Sequence, residues 1–238
     1  MIGGTITESQ RNFAKVAGIT QLVALAAVLF ANFGVIDRLA VTGNAAATAQ
    51  NIVAHELLFR IGIACNLIYC LGLIAVITAF YVILEPVNRS LALLGAVWKL
   101  VYALSWVLMT FHLFDALRLA CGAGYLRAFE VDRLQALAKL SISVGFDRYY
   151  GGLLFYSLGS VVVSYLWLKS RYIPRALAAW GLISYAWCGA CTFVFLIFPG
   201  FSKVVNLWWF DTSMGIFELT LSFWLLFKGL KPSETNSR

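Results

Sequence analysis

The stretch RIGIACNLIYCLGLIAVITAFYVILEPVNRSLALLGAVWKLVYALSWVLMTFHLFD, residues 60–115, decides the fold. Between Arg60 and Glu85 it runs for 24 residues without a charge, and between Arg89 and Asp115 for 25 more interrupted only by Lys99. Each run matches the roughly 20 helical residues needed to cross a hydrocarbon layer about 30 Å thick. Lipid offers an unpaired backbone amide no partner, so each run is expected to be a helix. Working outward, comparable runs lie at 16–36, 149–168, 176–198 and 204–227, which with 61–84 and 90–114 make six expected spans. The first is too long for a signal-peptide core and is read as a retained span.

The composition of the 238 residues points the same way. Hydrophobic residues make up 61% and charged residues only 12%, where a soluble domain carries about 25% charge. So few charges cannot cover a wetted surface, which excludes a soluble globule, a disordered chain and a nucleic-acid-binding module. The net charge of +7 comes from cations set between apolar runs, the pattern of a multi-pass membrane protein. Only Lys99, Asp211 and Glu218 lie inside the runs.

Orientation follows the Lys and Arg near the span ends. The N-terminus, the 85–89 and 169–175 loops and the C-terminal tail hold nine cations in short segments; the opposite side spreads eight over longer loops. Both termini are therefore expected on the cytoplasmic side of a bacterial cytoplasmic membrane. Pro86 should end the second span and Pro174 start the fifth. Tyr149, Tyr150, Trp208 and Trp209 on one side, with Trp167 and Tyr172 on the other, read as interfacial aromatic belts. Residues 44–60 and 131–144 read as amphipathic helices on the outer surface, the second with Val131, Leu134, Ala138 and Ile142 along its apolar face. The expected whole is an all-α integral membrane six-helix bundle in a single domain, with 231–238 as a flexible tail.

Four strings carry a resemblance: TGNAAATAQNIVAHELLFRIGIACNLI, ILEPVNRSLALLGAVWKLVYA, KSRYIPRALAAWG and FELTLSFWLLFKG. In this order and spacing they resemble the bacterial membrane protein family called domain of unknown function 4386. The resemblance implies a multi-pass membrane protein and brings no reaction, substrate or catalytic residue with it, so the sites are read from the residues alone.

Lys99 lies ten residues from Arg89, and Glu218 ten residues from Lys228. At about 1.5 Å per residue both stand roughly 15 Å in from the same face, near the midplane. An unpaired charge there costs at least about 2.5–3.5 kcal/mol, so both are expected to face the helices and meet. Asp211, Gly215, Glu218 and Ser222 share one stripe of the last run. Two readings stand: a pair that fixes helix register, or a site for a substrate, proton or ion.

A second group gathers at the outer ends of the spans: His55, Glu56 and Arg60; His112, Asp115 and Arg118; Asp147 and Arg148; and Asp211. Interfacial ion pairs such as Glu56 with Arg60 at i, i+4 are one reading. A polar pocket is another, with Glu56, Arg60 and Asp211 as ligand-binding candidates. A third is a divalent metal on His112, Asp115 and His55, although no metal signature is matched. No other cofactor is expected. WCGAC at 187–191 has the spelling of a redox motif, but Cys188 and Cys191 fall mid-span in apolar surroundings and read as packing residues. Asn66 reads as a helix–helix hydrogen-bonding residue. Three classes of function stay open: binding or transport of a small or lipid-like ligand, a membrane enzyme acting on a lipid or hydrophobic substrate, and a scaffold or accessory subunit. Membrane lipids and a hydrophobic small molecule are the expected partners, nucleic acid is not, and the oligomeric state is open.

Overall fold

The computed structural model describes residues 6–122, 129–198, 200–201 and 208–231, with the side chains of 145–148 and 208–210 outside the description. Every regular element among these residues is a helix. We number them α1 (Glu8–Leu39), α2 (Ala45–Ala54), α3 (Glu56–Leu84), α4 (Arg89–Ala120), α5 (Val131–Ser170), α6 (Arg175–Ile197) and α7 (Trp208–Phe227). Helices α1, α3, α4, α5 and α6 are long and apolar enough to cross a membrane. Helix α7 is a further apolar helix of 20 residues that carries Asp211 and Glu218.

Local chemistry sets the ends. Thr7 Oγ1 accepts from the Gln10 amide at 3.2 Å while Gln10 Oε1 accepts from the Thr7 amide at 2.9 Å, a reciprocal cap that starts α1. Helix α1 widens into a π-helical stretch at Phe30–Ile36 before its last turn. Pro86 follows the end of α3, and Asn88 Oδ1 accepts from the Leu91 amide at 3.0 Å to cap α4. Pro174 is the N-cap of α6, where its missing N–H costs nothing.

Two expected boundaries move. Residues 44–60 do not form one helix. Thr48 Oγ1 accepts from the Val41 amide and Asn51 Nδ2 donates to the Leu39 carbonyl, tying α2 back onto the end of α1. The chain then bends at His55 (φ −123°, ψ 39°), and 56–60 become the first turn of α3. Residues 131–144 are not separate from the following span: one helix of 40 residues runs from Val131 to Ser170. It contains no proline, and its four glycines, Gly145, Gly151, Gly152 and Gly159, each cost only about 1 kcal/mol, against which the apolar residues around them favour the helix. Leu134, Ala138 and Ile142 on its first part are buried within the protein, whereas Val131 is exposed.

By contacts the chain divides into two compact units. One comprises Ala24–Leu71 and Leu104–Tyr149. Its core joins Val35, Ile36 and Leu39 of α1, Ile52 of α2, Phe59 and Ile63 of α3, Leu113, Ala116 and Leu117 of α4 and Ile142 of α5. Within it Trp106 Nε1 donates to Asn66 Oδ1 at 2.9 Å, the interhelical role expected of Asn66.

The other unit comprises Met1–Val23, Gly72–Ala103 and Tyr150–Arg238. Glycines bring its helices close. A methyl group added at Gly159 of α5 would stand 2.8 Å from the Gly95 carbonyl oxygen of α4, and one at Gly18 of α1 would stand 2.8 Å from the Ser222 carbonyl oxygen of α7. Trp167 is fully buried against Phe80, with ring centres 5.5 Å apart and nearly perpendicular, and Tyr172 is buried too. Both rings are buried within the protein rather than standing in the expected belt, since a large aromatic side chain gains much by burial. The side chains of Trp208 and Trp209 lie outside the described residues, as do 232–238 of the expected tail.

Candidate functional site

The second unit holds the site. Glu218 of α7 is 7% exposed and accepts three hydrogen bonds, each from a different helix. Gln21 Nε2 of α1 donates to Oε2 at 3.0 Å, Tyr156 Oη of α5 to Oε1 at 2.5 Å, and Tyr185 Oη of α6 to Oε1 at 2.9 Å. Donors converging on an acceptor with no proton of its own to offer is the arrangement an ionised carboxylate takes.

Lys99 of α4, 4% exposed, stands on the far side of Tyr156. Its Nζ lies 4.4 Å from the centre of the Tyr156 ring and 5.5 Å from that of Phe80, both within reach of a cation–π attraction. Among the described residues no carboxylate lies within 4 Å of Nζ. The expected meeting of Lys99 and Glu218 is therefore made through a shared tyrosine, whose ring takes the cation while its hydroxyl serves the anion. Gly159 makes this reach feasible: its absent side chain leaves room for Lys99, whose Cγ would lie 2.9 Å from an added methyl.

Lys99, Glu218, Gln21, Tyr156, Tyr185 and Phe80 border one space, with Ser222 and the aliphatic Ala17, Leu221 and Leu225. About 260 Å³ lies free around these side chains, open solvent at its rim included, and within it there is room for a water-sized guest. A second space of about 220 Å³ shares Lys99 and Phe80, and its other walls are mostly aliphatic.

On α7 the stripe extends as expected to Ser222, buried one turn beyond Glu218, whose hydroxyl donates to the Glu218 carbonyl at 2.6 Å. Gly215 has open space where a side chain would be. Asp211, in the first turn, is 3.9 Å from the Cys188 thiol, and Ser213 joins Trp180 and Ser184 of α6. Cys188 and Cys191 are buried packing residues, and all five cysteines are free.

The outer candidates sit differently. Arg60 pairs with Glu56 at 2.7 Å, both about half exposed. His112 Nδ1 lies 3.4 Å from Asp115 Oδ2, and His55 occupies the exposed bend between α2 and α3. The side chains of Asp147 and Arg148 are outside the described residues. Among the described residues no three His, Cys, Asp or Glu side chains gather closely enough to hold a metal. Cys121, just past the end of α4, has its thiol pushed up by partial burial and then by the Glu56 carboxylate beside it, which makes it a weak nucleophile.

Sequence reasoning found Lys99 and Glu218 but missed Gln21, Tyr156 and Tyr185. Gln21 carries the signal that singled out Asn66, an amide inside an apolar run. The tyrosines carry none, since their rings suit any span.

No curated protein and no solved structure matches the chain. The profile of one family, DUF4386, described as a domain of unknown function, matches residues 16–229, which is most of the chain. The four strings noted in the sequence all fall inside that match, and the chain belongs to this family.

Proposed function

We propose that the protein crosses a bacterial cytoplasmic membrane six times, with both termini cytoplasmic and α7 as the sixth span, and that it binds and passes a small guest at the Lys99–Tyr156–Glu218 site. The observation that carries this reading is the carboxylate of Glu218, buried in an apolar helix yet supplied with donors from three other helices. Ionisable groups at such depth, facing the protein interior, mark ion and proton routes. Room for a water-sized guest favours a proton or a similarly small cation; a lipid-like ligand would need these side chains to move apart. The chemistry is exchange: Glu218 takes or releases a proton, Tyr156 and Tyr185 follow with their hydroxyls, and the Lys99 ammonium compensates the carboxylate charge.

The test is proton flux in vesicles. Purified protein is reconstituted with a pH-sensitive dye inside, and a potassium diffusion potential drives the current. The wild type should acidify or alkalinise the lumen at least tenfold faster than Glu218→Gln, with the variant's assembly checked by size-exclusion chromatography. A wild-type rate equal to that of Glu218→Gln or of empty vesicles would sink the transport reading and leave the pair the role of fixing helix register.

A further inference from the structure

A hydroxyl inside a buried helix ordinarily turns back to the carbonyl one turn earlier. Thr78, Thr110, Thr192, Thr220 and Ser222 all do so, at 2.6–2.9 Å. Three serines of α5 do not. Ser157, Ser160 and Ser164 are at most 1% exposed, and among the described residues their Oγ atoms have no hydrogen-bond partner. The indole Nε1 of Trp167, a residue with no exposure at all, is in the same condition.

Two further such atoms among the described residues, His112 Nε2 and Trp224 Nε1, stand on α4 and α7, whereas these four share one helix. At 100° and 1.5 Å per residue, positions 157, 160, 164 and 167 fall in a sector about 80° wide and about 15 Å long on one face of α5. The file starts beside the site. Ser157 reaches toward the Cys188 thiol and Ser160 toward the Tyr185 phenol that donates to Glu218, both approaches falling short of hydrogen-bond geometry. It ends at Trp167, three residues before the end of the helix, where the following turn is held by a Lys231 amide to Tyr172 carbonyl bond of 2.8 Å. Buried polar atoms in native proteins find a partner, and where protein supplies none, ordered water does.

We propose that Ser157, Ser160, Ser164 and Trp167 line a file of bound waters that reaches the Tyr156–Tyr185–Glu218 cluster from the α5–α6 turn. Its use as a proton route rests on the transport reading above. Along it each hop breaks one O–H bond as it forms the next, ending with the Tyr185 proton passing to Glu218 while a water bound at Ser160 replaces it. No oxidant or reductant takes part, and the waters are unchanged after each passage. The file joins the site to one face and so supplies that side's half of the transport route.

Hydroxyl-radical footprinting in lipid nanodiscs tests it, with X-ray radiolysis in ¹⁸O-labelled water and readout by mass spectrometry. Bound waters label the side chains they touch, even buried ones. Trp167 and Tyr185 should take up ¹⁸O at least fivefold faster than Trp106, which is similarly buried but bonded to Asn66. The double variant Ser160→Ala, Ser164→Ala should lose most of the label at Trp167, and Glu218→Gln should keep it. Labelling of Trp167 and Tyr185 no faster than Trp106 would overturn the file, as would labelling unchanged in the double serine variant. A labelled file in a protein that passes no protons would support the file and sink the transport reading alone.

Discussion

Removing either charge of the Lys99–Glu218 site should be worse than removing both. Lys99→Met leaves the carboxylate without its cation, and Glu218→Gln leaves the ammonium without its anion while setting an amide NH₂ where a carboxylate oxygen accepted from Gln21 or from the two tyrosines. The structure bounds the coupling. From Nζ to the Tyr156 ring centre is 4.4 Å, and the hydrogen bond from that phenol to Oε1 is 2.5 Å, which puts the charges within about 10 Å. At about 10 Å and an effective dielectric of about 20, opposite unit charges attract by about 1.7 kcal/mol; at 4 Å, the nearest separation short of an ion pair, by about 4 kcal/mol. A double-mutant cycle should therefore return a favourable coupling of about 2–4 kcal/mol, at or above the upper part of the roughly 0.5–3 kcal/mol measured for contacting or networked residues. Reversible unfolding in bicelles, followed by steric trapping or by SDS titration, reads the four stabilities. The double variant should regain most of what either single variant loses. A coupling below about 0.5 kcal/mol would mean that the two charges do not sense one another, and the link through Tyr156 would fall.

Two further outcomes follow from the packing. Gly159→Ala should destabilise the protein by about 1–3 kcal/mol as an overpacked contact, because the new methyl meets a backbone oxygen of α4 at 2.8 Å; thermal melting in detergent checks it, and an unchanged midpoint refutes the close approach. Maleimide titration of the folded protein should modify exposed Cys121, slowly at neutral pH and faster as the pH rises, while buried Cys188 stays unmodified until denaturant is added. Rapid labelling of Cys188 would contradict its place inside the unit.

The helices and the two charges were legible in advance because lipid penalises exceptions so heavily. A lysine and a glutamate in apolar runs stand out on any reading, and their count from the nearest flanking cations already sets them at one depth. Tyr156 and Tyr185 could not be picked out, since a phenol donates wherever the register of neighbouring helices brings an acceptor, and that register is a tertiary property. The bend at His55 was hidden for a similar reason: the helical pattern of 44–60 is genuine, but the ties from Thr48 and Asn51 to the end of α1 depend on distant backbone. Trp167 misled because an aromatic near a span end suits an interface and a packed interior equally well.

Lys99 and Glu218 border a single space, so a voltage across the membrane acts on them at nearly the same point of its drop. Moving one elementary charge through the full field is worth about 2.3 kcal/mol per 100 mV, and for two opposite charges at one level that work cancels. The resting pair is electrically silent: an energised membrane exerts no net pull on it. A single proton added or withdrawn ends that balance, and only then does the field gain a handle on the protein.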